Sequence, residues 1–461
     1  MNAITSLLIR TTVAVATLPA GLVGLRAADD SDAEIKALRE QIRLLDQRLH
    51  QLEQKQQLKE QEAAAAAKTA PKIAISDKGF TFASGDGANS LRIGGLVQLD
   101  SRLFFGDGGG VYNNSFVLRR ARLISEGTLG RIYSFQIIPE LGGSTVSILD
   151  ANVTVAPTSA VQFKLGRFKA PVGLELLQSD SATFFVERSL VTNLVPNRDL
   201  GVQVGGSFAD NAFTYAVGLF NGVADATSTS NVDFDNDKDV VARVFAQPFK
   251  NDKDSPWQGL GLGVAASLGR EKGPAAVTAG YKTDGQQTFF KYNSTVVADG
   301  RIWRVSPQAY YYSGPFGALG EYVVSTVNAR PSATGVKTAL QNKAWQLVAG
   351  FVLTGEDASF TSVTPRQPFS WNDGTWGAWQ IVARYANLKL DDNIFPLFAS
   401  PATNAGEATA AGIGLNWYLS RTVRTSLDYF QTRFNNPVPV SATQILRQDE
   451  QALITRFQLS F

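Results

Sequence analysis

From Leu91 to the last residue, apolar and polar side chains alternate with a period of two, and the pattern recurs about sixteen times. A period of two belongs to a β-strand with one oily face and one polar face. LRIGGLVQLDSRLFF shows it plainly: Leu91, Ile93, Val97, Leu99, Leu103 and Phe105 share one side, while Arg92, Gln98, Asp100 and Arg102 share the other. Further strands are expected to begin near Phe116, Arg131, Val146, Val161, Asp199, Ala212, Asp239, Gln258, Arg301, Phe316, Lys343, Thr375, Thr409, Arg421 and Gln451. Many run to about ten residues or more, the length a tilted strand needs to cross a bilayer.

The connections alternate too. Short turns fall near Gly130, Pro157, Asp210, Gly314 and Ser420. Long ones fall near Gly108, Ala170–Arg198, Asn221–Asp237, Gly273–Gly300, Ser332, Asp391–Glu407 and Asn435–Glu450. Turns on one side and loops on the other characterise an outer-membrane barrel. Pro248–Trp257 and Glu356–Gly374 fit poorly, because parity puts both on the short-turn side. The chain closes on ALITRFQLSF, with Leu453, Phe457, Leu459 and Phe461 on one face. A terminal phenylalanine on an exported β-chain resembles the end of such a barrel. The expected fold is therefore all-β: a sixteen-stranded antiparallel transmembrane barrel over residues 91–461, rather than a soluble sandwich or β-helix.

The chain of 461 residues begins differently. Arg10, the apolar stretch TTVAVATLPAGLVG and the small residues Ala27 and Ala28 read as a signal peptide over residues 1–28. Ile35, Leu38, Ile42, Leu45, Leu49 and Leu52 then repeat at spacings of three and four, the a and d positions of a coiled coil. Residues 29–68 are expected as a periplasmic coiled coil and residues 69–90, with Pro71, as a linker.

Composition removes several chemistries. There is no cysteine, and the single histidine, His50, lies in the heptad segment, so thiolate, most zinc and Ser–His mechanisms are out of reach. The chain is read as no enzyme, with no cofactor, no metal and no nucleic-acid partner. Lys plus Arg total 43 against 41 Asp plus Glu, so a basic partner surface must be local.

Such a surface is suggested by FVLRRARLISEGTL, Phe116–Leu129, where three arginines fall within four residues. Strict alternation leaves either Arg119, or Arg120 and Arg122, in lipid, at about 2–4 kcal/mol for each mid-membrane arginine. A β-bulge at Arg119–Arg120 switches the register and resolves the conflict. Phe116, Leu118, Ala121 and Leu123 then face lipid, and Ser115, Arg119, Arg120, Arg122 and Glu126 face the lumen. Arg102, Lys164, Arg243, Arg304, Arg384, Arg424 and Arg456 also fall on polar faces, beside Asp100, Asp150 and Asp428. The expected lumen is mixed with a basic bias.

These residues carry a resemblance. FVLRRARLISEGTL, ILDANVTV, LGRFKAPVGLE, FFVERSLV, RDLGVQVGG, LTGE, GAWQIVARY and the closing RFQLSF, in that order, are similar to the phosphate-selective porin O and P family. The resemblance implies homotrimers of sixteen-stranded barrels in the bacterial outer membrane, with the third extracellular loop, here Lys169–Arg198, folded into the pore. It implies an anion-binding constriction at Arg119, Arg120 and Arg188, with Asp150 lining the same eyelet and Arg102 matching a basic residue of the first strand. With Arg122 from the bulge, these are the candidate site residues. The expected function is passage of small anions such as phosphate or polyphosphate. The rival readings are a general-diffusion or sugar porin, and a tether from outer-membrane lipid to peptidoglycan through the coiled coil.

Overall fold

The computed structural model describes residues 29–106, 112–143, 145–229, 233–277, 280–440 and 445–461. The signal peptide expected over residues 1–28 lies outside them. The chain divides into two units, residues 1–69 and 70–461.

The described residues of the first unit form one α-helix, Asp29–Thr69. Its heptad residues Ile35, Leu38, Ile42, Leu45, Leu49 and Leu52 are all exposed. Within this unit the described residues offer the stripe no cover, and an isolated helix gains little stability without packing.

Beside a separate two-stranded sheet, the second unit is one large antiparallel sheet. Its sixteen barrel strands run in chain order from Ser90–Phe105 to Ile445–Ser460. The last pairs with the first, from Gln451↔Phe105 to Ser460↔Leu96, so the sheet closes and leaves no edge. Thirteen of them begin within three residues of where the period-two pattern places them, while those at Val297, Thr338 and Ile445 start four to six residues earlier than expected. Strand Thr338–Val352 shows the alternation most clearly: Trp345, Leu347 and Phe351 are exposed while Ala344, Val348 and Val352 are buried. Exposed apolar residues recur around the whole outer wall, among them Leu99, Leu118, Val217, Ile381, Ile413 and Phe457. An apolar surface of that extent needs a non-aqueous neighbour, and a closed barrel is the β-structure that satisfies its backbone there.

Both awkward connections join antiparallel neighbours at the short-turn end, so the strand count stands. They widen the aromatic rim: Trp257 packs on Tyr311, and Phe369 gathers Trp371, Trp376 and Trp417. Three expectations change. The linker region carries a hairpin, Lys72–Ser76 with Gly79–Ala83, whose second strand pairs with the start of the first barrel strand. Gly79 has φ 94°, and a Cβ there would lie 2.3 Å from the Ile93 carbonyl oxygen, so the tight turn requires glycine. The loop after Gly273 holds a second small hairpin, Gly280–Lys282 with Thr288–Lys291. Asn435–Glu450 is mostly strand, because Val423–Val440 and Ile445–Ser460 pair as far as Val440↔Ile445.

Candidate functional site

The three-arginine strand, Ser115–Leu129, contains the bulge. Gln98 pairs with Arg120 and Leu99 with Leu118, so Arg119 is the extra residue. Phe116, Leu118 and Leu123 are exposed on the outer wall, whereas Arg120 is buried in the interior. A bulge frees backbone groups, and here a neighbour takes them up. Glu140 Oε1 accepts from the Ala121 amide at 2.8 Å and from Gly142 N at 3.1 Å. Its other oxygen accepts from Arg122 Nε at 2.7 Å. One carboxylate thus stitches the bulge and aims Arg122.

The segment between strands Gln162–Lys169 and Arg198–Phe208 folds into the barrel. Leu174, Phe184 and Phe185 are buried against Leu319, Val348, Val382, Phe430 and Ile454 of the wall. A buried loop must find partners for its carbonyls. Gln98 donates to Asp180 O (3.0 Å), Gln458 to Ser181 O (3.1 Å) and Arg424 to Thr183 O (2.9 Å). Asn416 donates to Phe184 O (2.8 Å), Arg456 to Val186 O and Arg384 to Glu187 O (2.9 Å). The polar-face reading for Arg384, Arg424 and Arg456 therefore holds, but these arginines do not line open water. They are spent on the loop, and Arg304 is spent on Asp225 and Asp239. The basic bias of the lumen is narrower than alternation suggests.

The remaining passage lies between the loop and the strands on the opposite side. On the long-loop side a cavity of about 650 Å³ is lined by Arg102, Arg119, Arg120, Arg122, Arg188, Arg198 and Lys282, against Glu140, Asp180 and Glu187. On the short-turn side a second cavity, about 710 Å³, shares Arg122, Asp180 and Arg198 with the first and adds Lys164, Lys169 and Asp150.

Of the expected site residues, Arg102, Arg119, Arg120, Arg122 and Arg188 line one cavity. Asp150 stands in the next, where its Oδ2 accepts from Arg198 Nε at 3.0 Å. Two loop carboxylates organise the cluster. Glu187 is gripped by Arg119 through two bonds (2.5 and 2.9 Å) and reached by Arg102 (3.1 Å) and Arg456 (3.2 Å). Asp180 binds Arg122 and Arg188 and lies 3.4 Å from Arg120. Both acids belong to the loop, and neither is among the expected site residues. Glu140 and Lys282 carry no expected role either, and Arg198 enters the expectations only as the end of the loop and the start of RDLGVQVGG.

Burial by itself would raise the Asp180 carboxyl, but Arg120, Arg188 and Arg122 outweigh it and hold it well below the usual carboxylate range. Glu187, also penalised by burial, is held low by Arg119 and Arg456. A carboxyl depressed in the fold stabilises it above the unfolded-state pKa, and that contribution is lost as pH falls through the folded value. The charge of these two carboxylates, and the single-channel conductance that depends on it, should therefore stay constant from pH 7.5 to about 4 and change only as pH falls well below that, towards the folded values. A transition centred between pH 5 and 6 in bilayer recordings would count against this clamp.

The sequence and the fold match known proteins. The profile of the family described as phosphate-selective porin O and P matches residues 91–461. Porin O of Pseudomonas aeruginosa is 26% identical over 397 residues, covering 78% of this chain and 85% of that protein. Among solved structures, the outer membrane channel DcaP of Acinetobacter baumannii aligns with TM-score 0.51 at 11% identity, over 82% of this chain and 98% of that one. The anion-selective porin from Comamonas acidovorans aligns with TM-score 0.51 at 12% identity, over 81% and 100%. At such identities the structural likeness speaks for the barrel alone.

Proposed function

The chain belongs to the phosphate-selective porin O and P family, and from that premise we propose that it is a trimeric outer-membrane channel for small oxyanions, with phosphate its best substrate. The observation that carries this reading is the charge of the 650 Å³ cavity, seven basic side chains against three acidic ones. Fixed positive charge in a low-dielectric passage lowers the entry cost for an anion and raises it for a cation. Guanidinium groups add selectivity among anions, since their planar donors match phosphate oxygens. Glu187 and Asp180 weaken the hold, and an ion that binds moderately at several stations can leave again. The second cavity, with Lys164, Lys169 and Arg198, offers the next station.

The test is reversal potential in a KCl gradient across a planar bilayer. An anion-selective sign is expected, with added phosphate blocking chloride current in the millimolar range or below. A cation-selective sign would replace this reading with general diffusion.

The uncovered heptad stripe of helix Asp29–Thr69 supports self-association in the periplasm. Removing residues 29–69 from the exported chain should lower the temperature at which detergent-solubilised trimers fall apart, while single-channel conductance stays the same. Trimers of equal thermal resistance would assign the helix another role.

A further inference from the structure

Away from the arginines of the passage, neighbouring strands bring buried carboxylates together. Asp199 comes from strand Arg198–Phe208, Asp239 from Asp239–Ala246 and Glu271 from Leu260–Gly273, at 2, 3 and 0% exposure. Asp199 is satisfied by the amides of Leu200 (2.7 Å) and Gly222 (2.9 Å). Glu271 is not: among the described residues neither of its oxygens has a hydrogen-bond partner, nor has Asp239 Oδ1. These orphan oxygens point at one place. A Cβ on Gly222 would lie 2.6 Å from Glu271 Oε1 and 3.4 Å from Asp239 Oδ1, so both rest against the same bare glycine. A Cβ on Gly269 would lie 1.6 Å from Asp239 Oδ1, so a second glycine keeps the space open.

The local charge does not balance. Arg304 gives its Nε to Asp225 at 2.6 Å and reaches Asp239 Oδ2 with Nη1 at 3.4 Å. One guanidinium thus serves two carboxylates and leaves Glu271 unanswered among the described residues. Lys272, next in sequence, turns its side chain to Asp237 at 3.2 Å, while its amide donates to Asp235 Oδ2 at 2.8 Å. The acidic segment before Asp239 is thereby pinned beside Glu271 and adds more negative charge. A buried carboxylate with no donor is costly unless it is neutralised by a proton or a cation.

We infer that Glu271 and Asp239, with Asp199 and Asp235 around them, form a binding site for a hard divalent cation, and that calcium is its match. All the donors are oxygens, which disfavours zinc and copper. Among the described residues no three His, Cys, Asp or Glu side chains are placed to hold a metal ion together, so Asp199 and Asp235 would add charge around the ion and not ligands. The site is therefore open: Glu271 offers two oxygens, Asp239 one, and water or backbone carbonyls complete the shell. Calcium accepts such irregular, partly hydrated coordination, whereas magnesium demands near-ideal octahedral geometry. A bound cation would tie the acidic segment to the wall.

The full-length porin in detergent, stripped with EDTA, is titrated with calcium chloride by calorimetry and melted with and without calcium. Saturable uptake and a calcium-dependent rise in melting temperature are expected. Affinity should fall at least tenfold in Glu271→Gln and in the milder Asp239→Asn, and be kept in Asp252→Asn, an exposed carboxylate elsewhere. The inference is overturned if the wild type takes up no calcium, or if Glu271→Gln binds it equally well. It is also overturned if Glu271→Gln melts higher than the wild type with neither protein binding calcium, since a proton then neutralises the carboxyl. The readout is cation uptake, so the result is independent of anion selectivity.

Discussion

Replacing Arg119, Arg120 and Arg188 together by alanine is expected to abolish the preference for anions and to bring the reversal potential close to zero or past it. The change removes three of the seven basic groups of the cavity and none of its three acids. It also unmasks two carboxylates. Glu187 loses its two-bonded partner and keeps Arg102 and Arg456; Asp180 keeps Arg122 of its three arginine partners. At an effective dielectric constant of roughly 20, one unit charge about 8 Å away contributes about 2 kcal/mol before screening by salt. The anion-to-cation permeability ratio should therefore fall at least tenfold. Phosphate block should weaken more than chloride permeation, because phosphate uses several guanidinium donors at once. Arg243→Ala is the matching control. It faces the interior from another wall, bonds Gln308 at 3.1 Å and lines neither cavity. An unmoved reversal potential in the triple variant, with trimers intact on a gel, would make these arginines braces for the loop and nothing more.

Much of this architecture was legible because the barrel imposes its physics locally. Each strand must show lipid an apolar side chain every second residue, so strand positions follow from periodicity, and the Arg119 bulge follows from the one strand where periodicity fails. The loop at Lys169–Arg198 was legible from its length and from Leu174, Phe184 and Phe185, which need a wall to pack on. Alternation stops at the lumen face. It assigns Arg122 and Arg424 to the same side of the wall, yet one borders the passage and the other donates to Thr183 O. That difference depends on where a loop distant in sequence lays its carbonyls. The same limit hid Lys282, which reaches the cavity on a loop hairpin with no periodic signal; Asp150, which the family resemblance puts in the eyelet of Arg119, lines the adjoining cavity that shares Arg122, Asp180 and Arg198. The hairpin Lys72–Ala83 was missed because two five-residue strands around Asp77–Lys78 look like polar linker.

Excising the inserted loop should separate shape from charge. Lys169 and Arg198 are register partners, so a turn of about four glycine-rich residues in place of residues 171–196 closes the hairpin without strain. The sixteen-strand ladder remains, while the apolar contacts of Leu174, Phe184 and Phe185 are lost. Arg384, Arg424 and Arg456 lose the loop carbonyls they now hold. In a dry interior that would be severe, but a sixteen-stranded barrel without its loop holds water, which hydrates them instead. The lumen should thus be wider and still positive. Single-channel conductance should rise several-fold with a weak anion preference retained, whereas phosphate block should vanish, since the loop supplies Arg188 and the carboxylates that hold Arg119 and Arg122 in place. Unchanged conductance would mean that the narrowest point lies elsewhere. Phosphate block that survives the excision would show that the wall arginines alone recognise the ion. Taken with the triple variant, which leaves the loop and removes the charge, the two outcomes distinguish a channel that selects by its field from one that selects by guanidinium contacts held in register.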